Sequence, residues 1–148
     1  MWFHIVEDEP ELRRVMGALV TIEGYKSACF ESAEAYLDFF SSPQYITPVA
    51  IIIDNRLPGM RGTTLIRHIR EQVPLQKMVV ATATLTDIKT AKTELCYELP
   101  KPFRYEQLKL LLRGLVACTE TYGTDPECFG HAICKFGLEH PCPFAIAT

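Results

Sequence analysis

The chain has 148 residues, 48% of them hydrophobic and 22% charged, with a formal net charge of −3. That length suits one domain of ordinary size, and the apolar fraction excludes a chain disordered throughout. The slight excess of acids speaks against a protein that lives on nucleic acid through phosphate contacts.

Charge and cysteine are unevenly spread. Residues 1–117 carry 14 Lys/Arg and 14 Asp/Glu, whereas residues 118–148 carry one lysine and four acids. Four of the six cysteines (Cys118, Cys128, Cys134 and Cys142) fall in that last stretch. No basic segment followed by an apolar run of signal-peptide length precedes Glu7. The apolar run Val49 to Ile53 is far short of the ~20 residues that span a bilayer. The expectation is a cytoplasmic protein without membrane contact, where thiols stay reduced or bind metal.

In chain order, Trp2 to Val6 is a short apolar run ending at acids, as a buried parallel strand does. Pro10 suits a first helical turn, with Leu12, Val15, Met16, Leu19 and Ile22 at helical spacing and Gly24 as the terminating residue. Tyr25 to Phe30 reads as a second strand, and Ser32 as the N-cap of a helix carrying Ala35, Tyr36, Phe39 and Phe40. Val49 to Ile53 is β-branched, uncharged and too short for a helix. A turn over 56–62 leads to a helix with Leu65, Ile66 and Ile69 inward. Met78 to Ala81 predicts a fourth strand, 86–95 a short helix, and 97–99 a fifth strand. A last helix over 107–116 places Leu108, Leu111, Leu112 and Leu115 on one face.

Five strands alternating with five helices predict an α/β fold, a doubly wound parallel sheet covered on both faces. In such sheets ligands bind beyond the carboxyl ends of the strands. Those ends present Glu7 and Asp8, then Asp54, then Thr82, then Lys101. Each alone reads as a solvated loop residue or a cap. Together they bring three carboxylates, a hydroxyl and an ammonium to one edge. Clustered acids repel and lose solvation, and a hard divalent cation with oxygen ligands relieves this. A lysine and a hydroxyl beside them suit the oxygens of a transferred phosphoryl group, and a carboxylate can itself be the nucleophile.

The stretches Ile5-Val6-Glu7-Asp8-Glu9-Pro10, Ile53-Asp54-Asn55-Arg56-Leu57-Pro58-Gly59-Met60-Arg61-Gly62, Val80-Ala81-Thr82-Ala83 and Leu99-Pro100-Lys101-Pro102-Phe103 carry a family resemblance. Over residues 2–117 the sequence resembles the receiver domain of two-component response regulators, whose fold is the flavodoxin-like five-fold βα sandwich of chemotaxis regulators. The resemblance implies that Asp54 takes a phosphoryl group from a sensor histidine kinase or phosphotransfer protein. It also implies that Glu7, Asp8, Asp54 and the backbone carbonyl of Arg56 hold Mg²⁺. Thr82 would hydrogen-bond the phosphoryl group, the small Ala83 would leave it room, and Lys101 would pair with it across a cis Lys101–Pro102 bond. Such a domain catalyses its own phosphorylation and dephosphorylation without being an enzyme in the ordinary sense.

Departures from the family pattern are visible too. The position three before the lysine, an aromatic switch residue in receivers, is Glu98, with Tyr97 one residue earlier. Tyr97 could replace it only by a one-residue slip, which turns a side chain to the opposite face. The span from Thr82 to Lys101 is short and threonine-rich, which predicts a short or loosely packed helix. Arg56 and Thr84, each two residues after a site residue, flank the expected path of attacking water in receivers.

Residues 118–148 form a Cys-rich acidic extension, too short for a winged-helix output domain and broken by proline and glycine. Cys118, Cys128, His131, Cys134, His140 and Cys142 supply soft ligands, but their spacings lack the tight pairs of zinc sites. Zinc held by Cys128, His131, Cys134 and Cys142, a disulfide, and plain thiols packed against the receiver all remain open. Cys29 and Cys96 read as buried thiols. The expected function is a Mg²⁺-dependent phosphoacceptor that signals to a downstream protein or by homodimerising, without binding nucleic acid itself. The alternatives are a receiver separated from its output domain, or a pseudo-receiver whose tail senses metal or redox state. A haloacid-type phosphatase is disfavoured, because Arg56 stands where its second aspartate belongs.

Overall fold

The computed structural model describes residues 1–74, 76–83 and 97–122, with Thr121 and Tyr122 described by backbone alone. The helix expected over 86–95, Thr84, Cys96 and the tail beyond Tyr122, with Cys128, His131, Cys134, His140 and Cys142, lie outside these residues.

The elements are β1 (Trp2–Val6), α1 (Pro10–Ile22), β2 (Lys26–Phe30), α2 (Ala33–Phe40), β3 (Ala50–Asp54), α3 (Gly62–Gln72), β4 (Met78–Thr82), β5 (Tyr97–Pro100) and α4 (Tyr105–Tyr122). All five strands join one parallel sheet in the order β2-β1-β3-β4-β5. The central β3 is buried at every residue, so its Ile-rich run supplies both faces. Ala50 and Ile52 face a core with Phe3, Ile5, Val20, Val79, Tyr97 and α4 leucines 108, 111, 112 and 115. Ile51 and Ile53 face the opposite core with Val6, Tyr36, Leu65, Ile66, Ile69 and Val80. Thus α1 and α4 cover one face, and α2 and α3 the other.

Local signals for the helix ends hold. Pro10 opens α1, Gly24 follows it at φ +90°, and Ser32 Oγ accepts the Ala35 N–H at 3.0 Å. Two expectations change. The last helix does not stop near Val116 but runs through Tyr122, which places Cys118 within it and buries that thiol against the core. Cys29 is exposed rather than buried, because β2 is an outer strand of the sheet, paired only with β1.

A buried histidine sits under α2. His4, with no exposed surface, lies at 2.8 Å from the Tyr36 hydroxyl through Nδ1, among the rings of Phe30, Phe39 and Tyr45. Desolvation lowers its pKa to about 4. Above pH 6.5 the imidazole is neutral folded or unfolded and stability is unaffected. Below that, only the unfolded chain takes up the proton, so stability falls as pH falls towards 4. Between pH 6.5 and 5 the loss should be about 2 kcal/mol. Urea unfolding of the wild type against His4→Phe should show this slope in the first protein and its disappearance in the second.

Candidate functional site

The carboxyl ends of β1, β3, β4 and β5 meet at one edge, because parallel strands all point the same way. Register sets the spacing. Ile53 pairs with Val80 and Asp54 with Ala81, while Thr82 pairs with Pro100. The Lys101 N–H donates to the Thr82 carbonyl at 2.8 Å, which brings the lysine back over Asp54. Lys101 Nζ then stands 3.1 Å from Glu7 Oε2 and 3.3 Å from Asp54 Oδ1. The Lys101–Pro102 bond is cis, as the resemblance implies.

Glu7, Asp8 and Asp54 offer carboxylate oxygens that all lie within 4.8 Å of one another. Glu7 and Asp54 are buried, whereas Asp8 opens to solvent. Burial raises the Glu7 carboxyl above its ordinary value, and the nearby Asp54 charge raises it further. The Lys101 ammonium acts in the opposite direction without cancelling them. Four acids (Glu7, Asp8, Glu9 and Asp54) line the pocket against two cationic side chains, Arg56 and Lys101. The pocket therefore carries a deficit of positive charge, and its donors are hard oxygens of the kind that suit Mg²⁺.

These groups line an open cavity of about 500 Å³ together with Arg56, Thr82 and Ala83. Among the described residues, Glu7, Asp8, Asp54, Arg56, Thr82, Ala83 and Lys101 are thus brought to one place. Buried Thr82 closes one side and exposed Ala83 leaves the mouth clear. Glu98 stays on the Thr82 face, opposite Val80, and Tyr97 is buried in the core on the other face. No slip rescues the aromatic position: it is held by a half-buried glutamate.

Two residues missed in the sequence organise the loops around the acids. Arg13 on α1 donates through Nη1 to the carbonyls of Glu7 at 2.9 Å and Asp8 at 3.3 Å. Glu34 on α2 accepts the Met60 N–H at 2.7 Å in the loop after β3. Neither contact has a periodic signature, since each depends on how a helix lies against a distant loop. Gly62 opens α3 so close to the site that a Cβ there would lie 2.3 Å from the Asp54 carbonyl oxygen. Beside the pocket, an apolar groove of about 560 Å³ is lined by Leu12, Val15 and Leu19 of α1 and by Pro102, Phe103 and Tyr105, with Lys101 at its edge.

Comparison with known proteins agrees with this geometry. The family model for the response regulator receiver domain matches residues 3–113. The DNA-binding transcriptional regulator NtrC of Klebsiella pneumoniae is 30% identical over 111 residues, 73% of this chain and 23% of that protein. NtrC of Proteus hauseri is 31% identical over 115 residues, 76% of this chain and 24% of the relative. This chain therefore spans about a quarter of the length of those relatives. A receiver domain protein from Clostridium thermocellum superposes with a TM-score of 0.71 at 18% identity, covering 80% of this chain and 96% of that one. The chemotaxis regulator CheY4 of Vibrio cholerae gives 0.68 at 20% identity, over 77% and 97% of the two chains. At such identities the structural likeness speaks for the fold alone. Among the described residues no helix is long and apolar enough to cross a membrane.

The approach of Gly62 to Asp54 yields a direct test. Gly62→Ala should lower unfolding stability in urea by about 2 kcal/mol, despite the better helix propensity of alanine, because the Cβ meets backbone rather than a movable side chain.

Proposed function

Because the chain belongs to the response regulator receiver domain family, we propose that it is a phosphoacceptor, with Asp54 receiving a phosphoryl group from a histidine kinase or phosphotransfer protein. The observation that carries this reading is Lys101 Nζ poised between Glu7 and Asp54 in a pocket of three converging carboxylates. Glu7, Asp8, Asp54 and the backbone carbonyl of Arg56 would hold Mg²⁺, which supplies charge neutralisation for the incoming group.

The chain's own residues divide the chemistry. An Asp54 carboxylate oxygen donates its electron pair to phosphorus while the bond from phosphorus to the donor nitrogen breaks and that nitrogen keeps the pair. Lys101 moves from carboxylate to phosphoryl oxygen and balances charge there. The Thr82 hydroxyl donates a hydrogen bond to a second oxygen. Water later attacks phosphorus, releases inorganic phosphate and restores the Asp54 carboxylate. Exposed Arg56 lines the same cavity, and in this reading its long side chain shields the site from that water or contacts the phosphoryl oxygens.

The partner has a place to bind. The apolar groove beside Lys101, walled by Leu12, Val15 and Leu19, suits an apolar helix face on the phosphodonor. The signal leaves by protein contact, and Glu98 in the aromatic position means that it does so without an aromatic rotating towards Thr82.

Incubation with Mg²⁺ and acetyl phosphate should add about 80 Da to the intact mass, one phosphoryl group. Asp54→Asn should abolish the gain, and Lys101→Ala should slow it roughly tenfold or more. No gain in the wild type would sink the reading and favour a pseudo-receiver. Val15→Glu, at a position 47% exposed on the groove, should leave acetyl phosphate labelling intact and impair transfer from a phosphorylated donor protein.

A further inference from the structure

The loop from Asn55 to Arg61 carries Arg56, whose backbone N–H reaches the Asp54 carboxylate. The Asn55 N–H roots it on β4 by donating to the Ala81 carbonyl at 3.1 Å, and further hydrogen bonds hold the rest. The Arg56 N–H donates to Asp54 Oδ1 at 3.3 Å, the Gly62 N–H donates to the Asn55 carbonyl at 3.1 Å, and the Met60 N–H donates to Glu34 Oε1 at 2.7 Å. The Arg56 and Gly62 bonds are local. The Met60 bond reaches across 26 residues to the first turn of α2.

Its geometry is specific. Gly59, at φ +73°, brings the loop up against α2, and a Cβ there would lie 2.6 Å from Glu34 Oε1. The positive φ favours glycine there, and any Cβ would push the Glu34 carboxylate away from the turn whose next N–H it accepts. The bond also keeps the Glu34 carboxyl below its ordinary pKa, with the Met60 N–H the largest cause. Ser32 caps the same helix through the Ala35 N–H, so the carboxylate projects from a fixed turn rather than a fraying end.

We infer that Glu34 is a positioning residue for the Asp54 pocket, tethering the β3–α3 loop to α2 so that the Arg56 backbone is held where a divalent cation needs an oxygen ligand. The inference rests on the receiver reading above and extends it to a residue that touches neither cation nor phosphoryl group. Partners that orient metal ligands from outside the coordination sphere commonly change affinity by a factor of ten or more.

Calorimetric titration of Mg²⁺ into the full chain, with acetyl phosphate labelling in parallel, tests it on four proteins. Glu34→Ala should raise the Mg²⁺ Kd roughly tenfold while circular dichroism shows the fold intact. Glu34→Gln keeps an acceptor oxygen for Met60 and should remain within about twofold of wild type. Asp38→Ala removes a like charge one turn along α2 and should also stay within about twofold, which separates the tether from the long-range field. An unchanged Kd in Glu34→Ala, or an equal weakening in Glu34→Gln or Asp38→Ala, overturns the tether. If the wild type neither binds Mg²⁺ nor gains a phosphoryl group, the receiver reading falls first and the tether with it.

Discussion

The mutual repulsion of Glu7, Asp8 and Asp54 is the constraint around which this structure is arranged. Two of the three are buried, and burial alone raises the Glu7 carboxyl. Lys101 is the internal counterion, touching Glu7 and Asp54 at once. Lys101 and Arg56 together face four acids around the cavity, so the pocket is left with an affinity for further positive charge. An isolated buried acid would simply protonate. Here the acids line a cavity that is open to solvent.

Holding those charges together requires a stiff frame. β3 is buried along its full length and its alternating residues feed two separate cores, so Asp54 has little freedom to retreat. β4 and β5 stay in register to their last residues, and the Lys101 N–H closes the ladder on the Thr82 carbonyl. The loops after β1 and β3, which carry Asp8 and Arg56, lie beyond the ladder. They are tied from outside, by Arg13 on α1 to the Glu7 and Asp8 carbonyls and by Glu34 on α2 to Met60. The helices therefore serve the site as well as the core.

The same register explains the altered switch position. A strand alternates faces residue by residue, so Tyr97 and Glu98 cannot both face Thr82. Tyr97 fills the core beneath α4, and moving it would empty a site 1% exposed. Glu98 takes the other face, at the level where receivers carry an aromatic. Packing, and not the chemistry of the pocket, decides which of the two lies there.

Much of this was legible in one dimension. Alternating β-branched runs and amphipathic helices specify a doubly wound sheet, since parallel strands buried on both faces have that pattern and little else does. The order of Glu7, Asp8, Asp54, Thr82 and Lys101 at strand ends was enough to name the pocket. Ser32, Pro10 and Gly24 marked helix ends through local backbone chemistry. Other features were invisible. Glu34 reads as an ordinary acid in a first helical turn, and Arg13 as a solvated cation. Cys29 reads as a core thiol until β2 is seen at the sheet's edge. The uneven charge noted at the outset has a clear meaning for residues 1–117: they sum to zero, yet three of their acids are concentrated where their charges repel one another. Local pattern determines which residues end each strand. Only the tertiary structure decides which helices reach across to hold them, because those contacts depend on packing between segments far apart in the chain.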